Sequence, residues 1–493
     1  MEEVRVRFAP SPTGYLHIGG LRTAIYNYIY ARQKGGKFLL RIEDTDRTRF
    51  VEGAMENLVR SLQWSGIEID EGVTLKDGEL TQVGDRGPYI QSQRLKTYEK
   101  YVDQLIEEDK AYYCFCSKER LDALREEQKI KGQVPRYDGL CRAISKEEAK
   151  ERVAQGEDHV VRLKLPHDRD IHFHDIVRGD ITINTNEMDD QVLMKSDGFP
   201  TYHLAVVVDD HLMGISHIIR GEEWLPSTPK HVYLYEAFGW EQPTYIHLPG
   251  VLNENHKKLS KRQGDVSVED FRGHGYLPEG LVNYLALVGW SPDSNEEIFS
   301  MDQLIEAFDP SRIAKAGGVF DVKKLDWVNS HYMKELTNEE LLELATPYLA
   351  DGGITADYIR ENREKMLTLM ETIKDSLDRV EQVPERSAFL FGEFKVTDEA
   401  ALGELKSETA PEVLSTMEAL LKEMEEMTPE RAKTFMKEVQ KASGVKGKKL
   451  FMPARAAITG VVHGPEMVNI LYLIGKDELL RRIAVAKEAA AMA

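Results

Sequence analysis

Apolar and charged positions alternate in Val4-Arg5-Val6-Arg7-Phe8, the period of a strand with one covered face. Ala9-Pro10-Ser11-Pro12-Thr13-Gly14 cannot continue it, because two prolines remove backbone donors and the glycine permits a sharp turn. After His17-Ile18-Gly19-Gly20 the period lengthens. Leu21, Ala24, Ile25, Tyr28 and Ile29 fall on one helical face, and Gly35-Gly36 ends the helix. Phe38 to Ile42 is a short apolar run suited to a buried parallel strand, with Glu43-Asp44-Thr45-Asp46 at its carboxyl end. Ligands of open parallel sheets bind outside the carboxyl ends of the strands, so the 9–20 loop and the acidic cluster both belong to a candidate site.

Further along, the spacing predicts a helix over 52–64, a strand at Ile67-Glu68-Ile69, and a helical stripe of Leu95, Tyr98, Tyr101, Val102, Leu105 and Ile106. Short strands and turns follow to about Met194, with 160–165 and 181–183 as examples. Two apolar runs then end in charge: Val206-Val207-Val208 in Asp209-Asp210, and Ile218-Ile219 in Arg220. They read as strands delivering side chains to a site; the plainer reading is a buried ion pair among Asp209, Asp210 and Arg220. Ser227-Thr228-Pro229 starts a helix, His247-Leu248-Pro249 is a strand exit, and from Val266 onward the pattern is helical, with a junction at Leu325-Asp326-Trp327-Val328-Asn329. The fold class expected is α/β: a doubly wound, Rossmann-like parallel sheet with an inserted α+β domain, followed by an all-α C-terminal half.

The 493 residues are too many for one core and predict about three or four domains. Boundaries are expected at 1–90 with 196–255 for the sheet domain, 91–195 for the insertion, 256–329 for a connecting region, and 330–493 for the helical part, divided near Phe389. The start lacks a signal-peptide pattern, no segment is long enough to span a bilayer, and three cysteines are too few for a disulfide framework, so a cytoplasmic setting is expected. A net charge of −20 argues against nucleic acid as a partner unless positive charge is concentrated locally. Lys433, Lys437, Lys441, Lys446, Lys448, Lys449 and Arg455 supply such a stretch, whose alternative reading is solvated surface.

The helix that begins after His17 offers unpaired N–H groups, and an anion fits beside Gly19 and Gly20. His17 would donate to a phosphate there or simply cap the helix. The basic pentapeptide Lys258 to Arg262 sits in a polar loop and, taken alone, reads as solvated. Cys114 and Cys116, with Cys141 downstream, suggest part of a zinc site or three reduced, buried thiols.

These motifs have a specific context. The run from Arg7 to Gly20, followed by Arg41-Ile42-Glu43-Asp44-Thr45-Asp46, resembles the opening of bacterial-type class I glutamyl-tRNA synthetases, and Lys258-Leu259-Ser260-Lys261-Arg262 looks like their second ATP-binding motif. The resemblance covers essentially the whole chain. It implies activation of L-glutamate by ATP with Mg²⁺, then transfer to the 2′-OH of the terminal adenosine of the glutamate tRNA, by a monomeric enzyme that uses no membrane. It implies ATP contacts at Ser11, Thr13, Gly14, His17, Gly19, Gly20, Lys258, Leu259, Ser260, Lys261 and Arg262, of which His17, Lys258 and Lys261 are catalytic through charge stabilisation. Glutamate contacts are implied at Arg7, Ala9, Ser11, Glu43, Tyr202, Arg220 and Trp224; two arginines would fork to the side-chain carboxylate while Glu43 receives the amino group. It also implies an insertion that grips the acceptor end of tRNA, an anticodon contact at Arg360, and Tyr137 as the fourth zinc donor, as in a shorter synthetase-like relative. Where many relatives carry Asn after the Ala of the His-Leu-Ala run, this chain has Val206, which puts one polar substrate contact in question. Alternatives are an enzyme that also charges glutamine tRNA, a glutaminyl synthetase, the short relative that modifies a tRNA base, and a catalytically silent tRNA-binding paralogue. Arg220 disfavours the second and the intact C-terminal half disfavours the third.

Overall fold

The computed structural model describes residues 3–259 and 266–492. The first unit, Met1–Gly273 with Leu281–Leu325, holds the sheet. Strand β1 (Arg5–Phe8) leads through the proline loop into α1 (Ile18–Gln33), β2 (Lys37–Leu40), α2 (Ala54–Trp64), and the hairpin β3 (Glu71–Lys76) and β4 (Glu79–Val83). Strands β1, β2 and β3 are parallel, with Arg5 opposite Lys37 and Leu39 opposite Glu71. The strand expected at Ile67 forms four residues later, at Glu71. Gly72 permits it there: a Cβ on Gly72 would lie 2.1 Å from the Leu40 carbonyl oxygen, and its φ of +125° excludes other residues.

Helix α3 (Leu95–Glu107) precedes a small antiparallel sheet of β5 (Ala111–Cys114), β6 (Val160–Leu163) and a third strand, with α4 (Lys118–Ile130) and α5 (Lys146–Ala154) between the first two. Within the same stretch, β7 (Asp170–Asp175) and β8 (Gly179–Asn184) form a hairpin, and β9 (Val192–Met194) completes the small sheet. Next come α6 (Tyr202–Leu212), β10 (His217–Gly221), α7 (Thr228–Ala237) and β11 (Thr244–Leu248). Strands β10, β11 and β7 run parallel, so the β7–β8 hairpin extends the sheet of β10 and β11 instead of the insertion. Ser216 N–H donates to the Arg5 carbonyl at 2.9 Å, which sets β10 beside β1. The result is a doubly wound arrangement of two four-stranded sheets, β1-β2-β3-β4 and β10-β11-β7-β8, parallel but for the edge strands β4 and β8.

Two expectations are corrected here. The valine run is not a strand: Val206-Val207-Val208 lies inside α6, where every residue from Leu204 to Asp210 is buried. Burial on all sides outweighs the strand preference of β-branched residues, and Gly214, at φ +66°, turns the chain just after the helix. Nor is β1 half-exposed, since all four of its residues are buried. Its arginines are matched by carboxylates, Arg5 by Glu71 at 2.8 Å and Arg7 by Asp210 at 3.0 Å. Helix α1 is likewise buried nearly all round, and its buried donors find backbone acceptors: Asn27 donates to Ile219 O at 3.0 Å and Tyr26 to Ala286 O at 2.9 Å, while Asn27 Oδ1 and Arg22 Nε are left without a partner among the described residues.

The second unit, His274–Gly280 with Asp326–Ala493, is helical. The two units divide within the stretch expected as a junction, between Leu325 and Asp326, although both residues lie in one helix, Val322–Glu335. The helix Asn338–Asp351 opens on a capping box between Thr337 and Glu340. Leu414, Leu421, Phe435, Leu450, Ile470 and Ile483 are among the buried residues that hold Ala410–Glu423, Pro429–Ser443, Lys448–Thr459, Met467–Ile474 and Lys476–Met492 together. Among the described residues no helix is long and apolar enough to cross a membrane.

Candidate active site

Where β1, β10 and β11 end, the chain opens a cavity of about 580 Å³. Of the residues the sequence singles out, Arg7, Ala9, Ser11, His17, Gly19, Gly20, Glu43, Tyr202, Arg220, Trp224, Lys258 and Leu259 line it. Thr13 and Gly14 do not. Ser260, Lys261 and Arg262 lie outside the described residues. Val206 is core, 1% exposed and not part of the wall.

At one side, charges are balanced. Arg7 Nε donates to Asp210 at 3.0 and 3.2 Å, and Arg41 Nη1 donates to the same carboxylate at 2.7 Å. Burial alone would raise the Asp210 carboxyl, but the two guanidinium groups hold it below the usual range. Arg41 also reaches Glu43 at 3.1 Å. Burial pushes Glu43 up to about 7, against the pull of Arg41 and Arg7. Asp209 is taken by Arg94 at 2.7 Å, Tyr98 at 2.7 Å and Gln91 at 3.0 Å. The ion pair expected among Asp209, Asp210 and Arg220 is therefore not formed: both acids face other arginines, because helix α6 turns them under the sheet edge.

Arg220, at the end of β10, is held differently. Its Nε donates to His247 Nε2 at 3.1 Å, Nη1 to the Tyr202 hydroxyl at 3.1 Å and to His231 Nδ1 at 3.3 Å, and Nη2 to Thr228 Oγ1 at 2.9 Å. A guanidinium only donates, which fixes the tautomers: the His247 proton sits on Nδ1 and goes to Asp175 at 2.7 Å, and the His231 proton sits on Nε2 and goes to His203 Nδ1 at 3.0 Å. Burial keeps these rings uncharged. It pushes His247 and His203 down to about 4 and His231 well below its ordinary value. Tyr202 stacks on Trp224, centroids 3.8 Å apart, forming an aromatic wall beside the guanidinium.

Toward α1, His17 caps the helix, its Nδ1 accepting from Gly19 N–H at 3.0 Å. A Cβ on Gly20 would sit 3.1 Å from Leu16 Cδ1, a tight approach that the leucine would have to yield to. Arg22, one turn on, donates to the carbonyls of Val288 and Pro249 and fixes the exit of β11, from which the chain runs through Val251 to exposed Lys258.

Apart from this cavity, the sulfurs of Cys114, Cys116 and Cys141 lie within 4.8 Å of one another, and the Tyr137 hydroxyl is 3.3 Å from Cys114 and 3.6 Å from Cys116. A tetrahedral zinc with sulfur at about 2.3 Å places its sulfurs about 3.8 Å apart. The Cys116–Cys141 separation of 3.6 Å fits that geometry. Burial pushes the Cys116 thiol up to about 11. In the helical unit, Arg360 is on the surface, its side chain 74% exposed and paired with Asp357 at 2.8 Å. The six lysines from Lys433 to Lys449 are exposed and Arg455 is partly buried.

Thr228, His231, His247 and Asp175 were not singled out as site residues by sequence reasoning. The signal available was spacing, since Thr228 and His231 share a face of α7 and His247 occupies a strand exit. Residues 3–327 match the family described as tRNA synthetases class I (E and Q), catalytic domain, and residues 340–487 match an anticodon binding domain. The chain is 56% identical over 486 residues to a glutamate–tRNA ligase of Finegoldia magna, covering 98% of this chain and 99% of that protein. It is 53% identical over 490 residues to the glutamate–tRNA ligase of Alkaliphilus metalliredigens, covering 99% of each. A glutamate tRNA ligase from Elizabethkingia meningosepticum, solved with its amino acid, superposes with a TM-score of 0.88 at 37% identity over 99% of both chains.

Proposed function

The chain belongs to the class I tRNA synthetases of the glutamate and glutamine group, and from that premise we propose that it is a glutamate–tRNA ligase that selects its amino acid through Arg220. The observation that carries this reading is how Arg220 is held among the three arginines that line the cavity, of which Arg22 is engaged by the backbone carbonyls of Val288 and Pro249. Arg7 is matched by Asp210, whereas Arg220 has four uncharged partners and no ion pair among the described residues. A substrate carboxylate would supply the missing charge, and a carboxamide would leave it unmet. Arg7 then borders the carboxylate rather than sharing it equally. Glu43 receives the α-ammonium group, with Ala9, Ser11, Tyr202 and Trp224 closing the pocket.

ATP enters as its Mg²⁺ complex beside His17, Gly19 and Gly20, with Ser11 from the preceding loop and Lys258 and Leu259 at the cavity wall. A glutamate α-carboxylate oxygen attacks the α-phosphorus, the bond to the β-phosphate oxygen breaks, and pyrophosphate leaves. Nearby cationic and N–H groups stabilise the charge that develops. No side-chain nucleophile is needed. The 2′-OH of the terminal adenosine then attacks the glutamyl carbonyl and AMP departs.

Residues 1–90 with 196–255 and the β7–β8 hairpin at 170–184 form the catalytic domain in this reading, the rest of 91–195 the acceptor-binding insertion, 256–329 the stem-contact region, and 330–493 the anticodon-binding part, where Arg360 and the Lys433–Lys449 cluster meet RNA. Zinc held by Cys114, Cys116, Cys141 and Tyr137 would brace the insertion. The enzyme acts as a cytoplasmic monomer. Charging assays with separately purified glutamate and glutamine tRNAs test the reading: glutamylation of the glutamate tRNA is expected, and charging of neither would defeat it.

A further inference from the structure

Resting on the reading of Arg220 as the receiver of the side-chain carboxylate, we infer that Thr228, His231 and His247 are specificity-determining positions, and that their contribution is electrical neutrality around that guanidinium. Four buried arginines of this unit are paired with acids, Arg5 with Glu71, Arg7 with Asp210, Arg41 with Asp210 and Glu43, and Arg94 with Asp209, while Arg22, which also lines the cavity, donates to the backbone carbonyls of Val288 and Pro249 instead. A carboxylate is the best-matched partner a guanidinium can have, and the chain supplies one to each of those four. Around Arg220 it supplies a hydroxyl and two imidazoles instead, although both Thr228 and His231 stand in the first turn of α7, where an acidic residue is favourable.

The arrangement fixes orientation without cancelling charge. Nε and Nη1 are fully engaged by His247, Tyr202 and His231, and Nη2 gives one of its two protons to Thr228. One N–H of Nη2 and the whole positive charge are left for a ligand in the cavity. Asp175 meets His247 at Nδ1 while Arg220 meets it at Nε2, so the imidazole ring stands between that acid and the guanidinium. The Asp175 oxygens are occupied by His247 Nδ1 at 2.7 Å and by the backbone N–H groups of Val177, Arg178 and His247 at 2.8–3.0 Å. The imidazole therefore passes on orientation from Asp175 while keeping its charge one ring away. Thr228, His231 and His247 are positioning residues: they act through Arg220 and set which side-chain end, carboxylate or carboxamide, completes the pocket.

The test compares matched shapes that differ in charge. Thr228→Asp delivers a carboxylate to Nη2, and Thr228→Asn delivers a neutral oxygen of the same reach. Kinetics of pyrophosphate exchange are measured with tRNA present, for glutamate and for glutamine. The KM for glutamate in Thr228→Asp is expected to exceed that of Thr228→Asn by about tenfold or more, with similar kcat and similar KM for ATP, and the preference for glutamate over glutamine in kcat/KM falls by a similar factor. A role confined to packing would move the two variants together. His231→Asp against His231→Asn repeats the contrast from the Nη1 side and decides the matter if Thr228→Asp fails to fold. Equal glutamate KM values within both pairs would overturn the inference while leaving the ligase reading intact. A wild-type protein with no glutamate-dependent exchange would overturn both.

Discussion

Arg7 and Asp210 are joined at 3.0 Å beneath the cavity, and neither is accessible to bulk solvent. Asp210 is shared with Arg41, so one carboxylate compensates two buried guanidinium groups. Removing it while keeping its shape should be severe. Asp210→Asn is expected to destabilise the catalytic unit by about 3–5 kcal/mol, because it leaves uncompensated charge in the interior. Urea denaturation of the two proteins measures this directly; a loss below about 1 kcal/mol would mean that water or rearrangement relieves the arginines.

Burial holds the Glu43 carboxyl at about 7, above its ordinary 4.5. Between those values the folded chain keeps a proton that the unfolded chain has lost, so this group's contribution to stability falls as pH rises through that window. Binding has the opposite dependence, since only the ionised form receives an ammonium group. The glutamate KM is therefore expected to fall as the pH rises from about 6 to about 8, and Glu43→Gln should show a higher KM without that slope. A slope that survives in Glu43→Gln would assign it to another group.

The cluster of Cys114, Cys116, Cys141 and Tyr137 predicts about one zinc per chain in protein prepared without chelator. Cys116→Ala should lose the metal and lower the melting temperature, and Tyr137→Phe should weaken retention against a chelator. Metal analysis by mass spectrometry checks both. Protein from zinc-replete cells that carries no zinc, with Cys116 freely reactive toward a thiol reagent, would return the cluster to three ordinary thiols.

How far the chain could be read from its residues depended on whether a signal was local. Helix α1 and strand β2 followed from period and glycine stops, and β10 and β11 from short apolar runs ending at the site. The valine run of α6 misled because its burial comes from distant segments: Asp209 owes its place to Arg94 and Tyr98, and Asp210 to Arg7 and Arg41, more than 100 residues away. The same holds for the neutral surroundings of Arg220. Thr228, His231 and His247 are unremarkable one by one, and only the parallel pairing of β10 with β11 brings Arg220 opposite His247. The cavity residues from Ala9 to Gly20 were legible because the loop after β1 and the start of α1 are contiguous in sequence, whereas the places of Tyr202, Trp224 and Lys258 followed only from the family resemblance. The charge logic among them was not, since it depends on which acid each arginine meets.

The central claim is that this chain joins glutamate to ATP at the cavity that Arg220 borders. Glutamate-dependent exchange of labelled pyrophosphate into ATP, run with and without the glutamate tRNA, tests it most directly. Exchange is expected with glutamate, is lost in Arg220→Ala, and is far weaker with glutamine. Absence of exchange under both conditions, or equal exchange with the two amino acids, would contradict it.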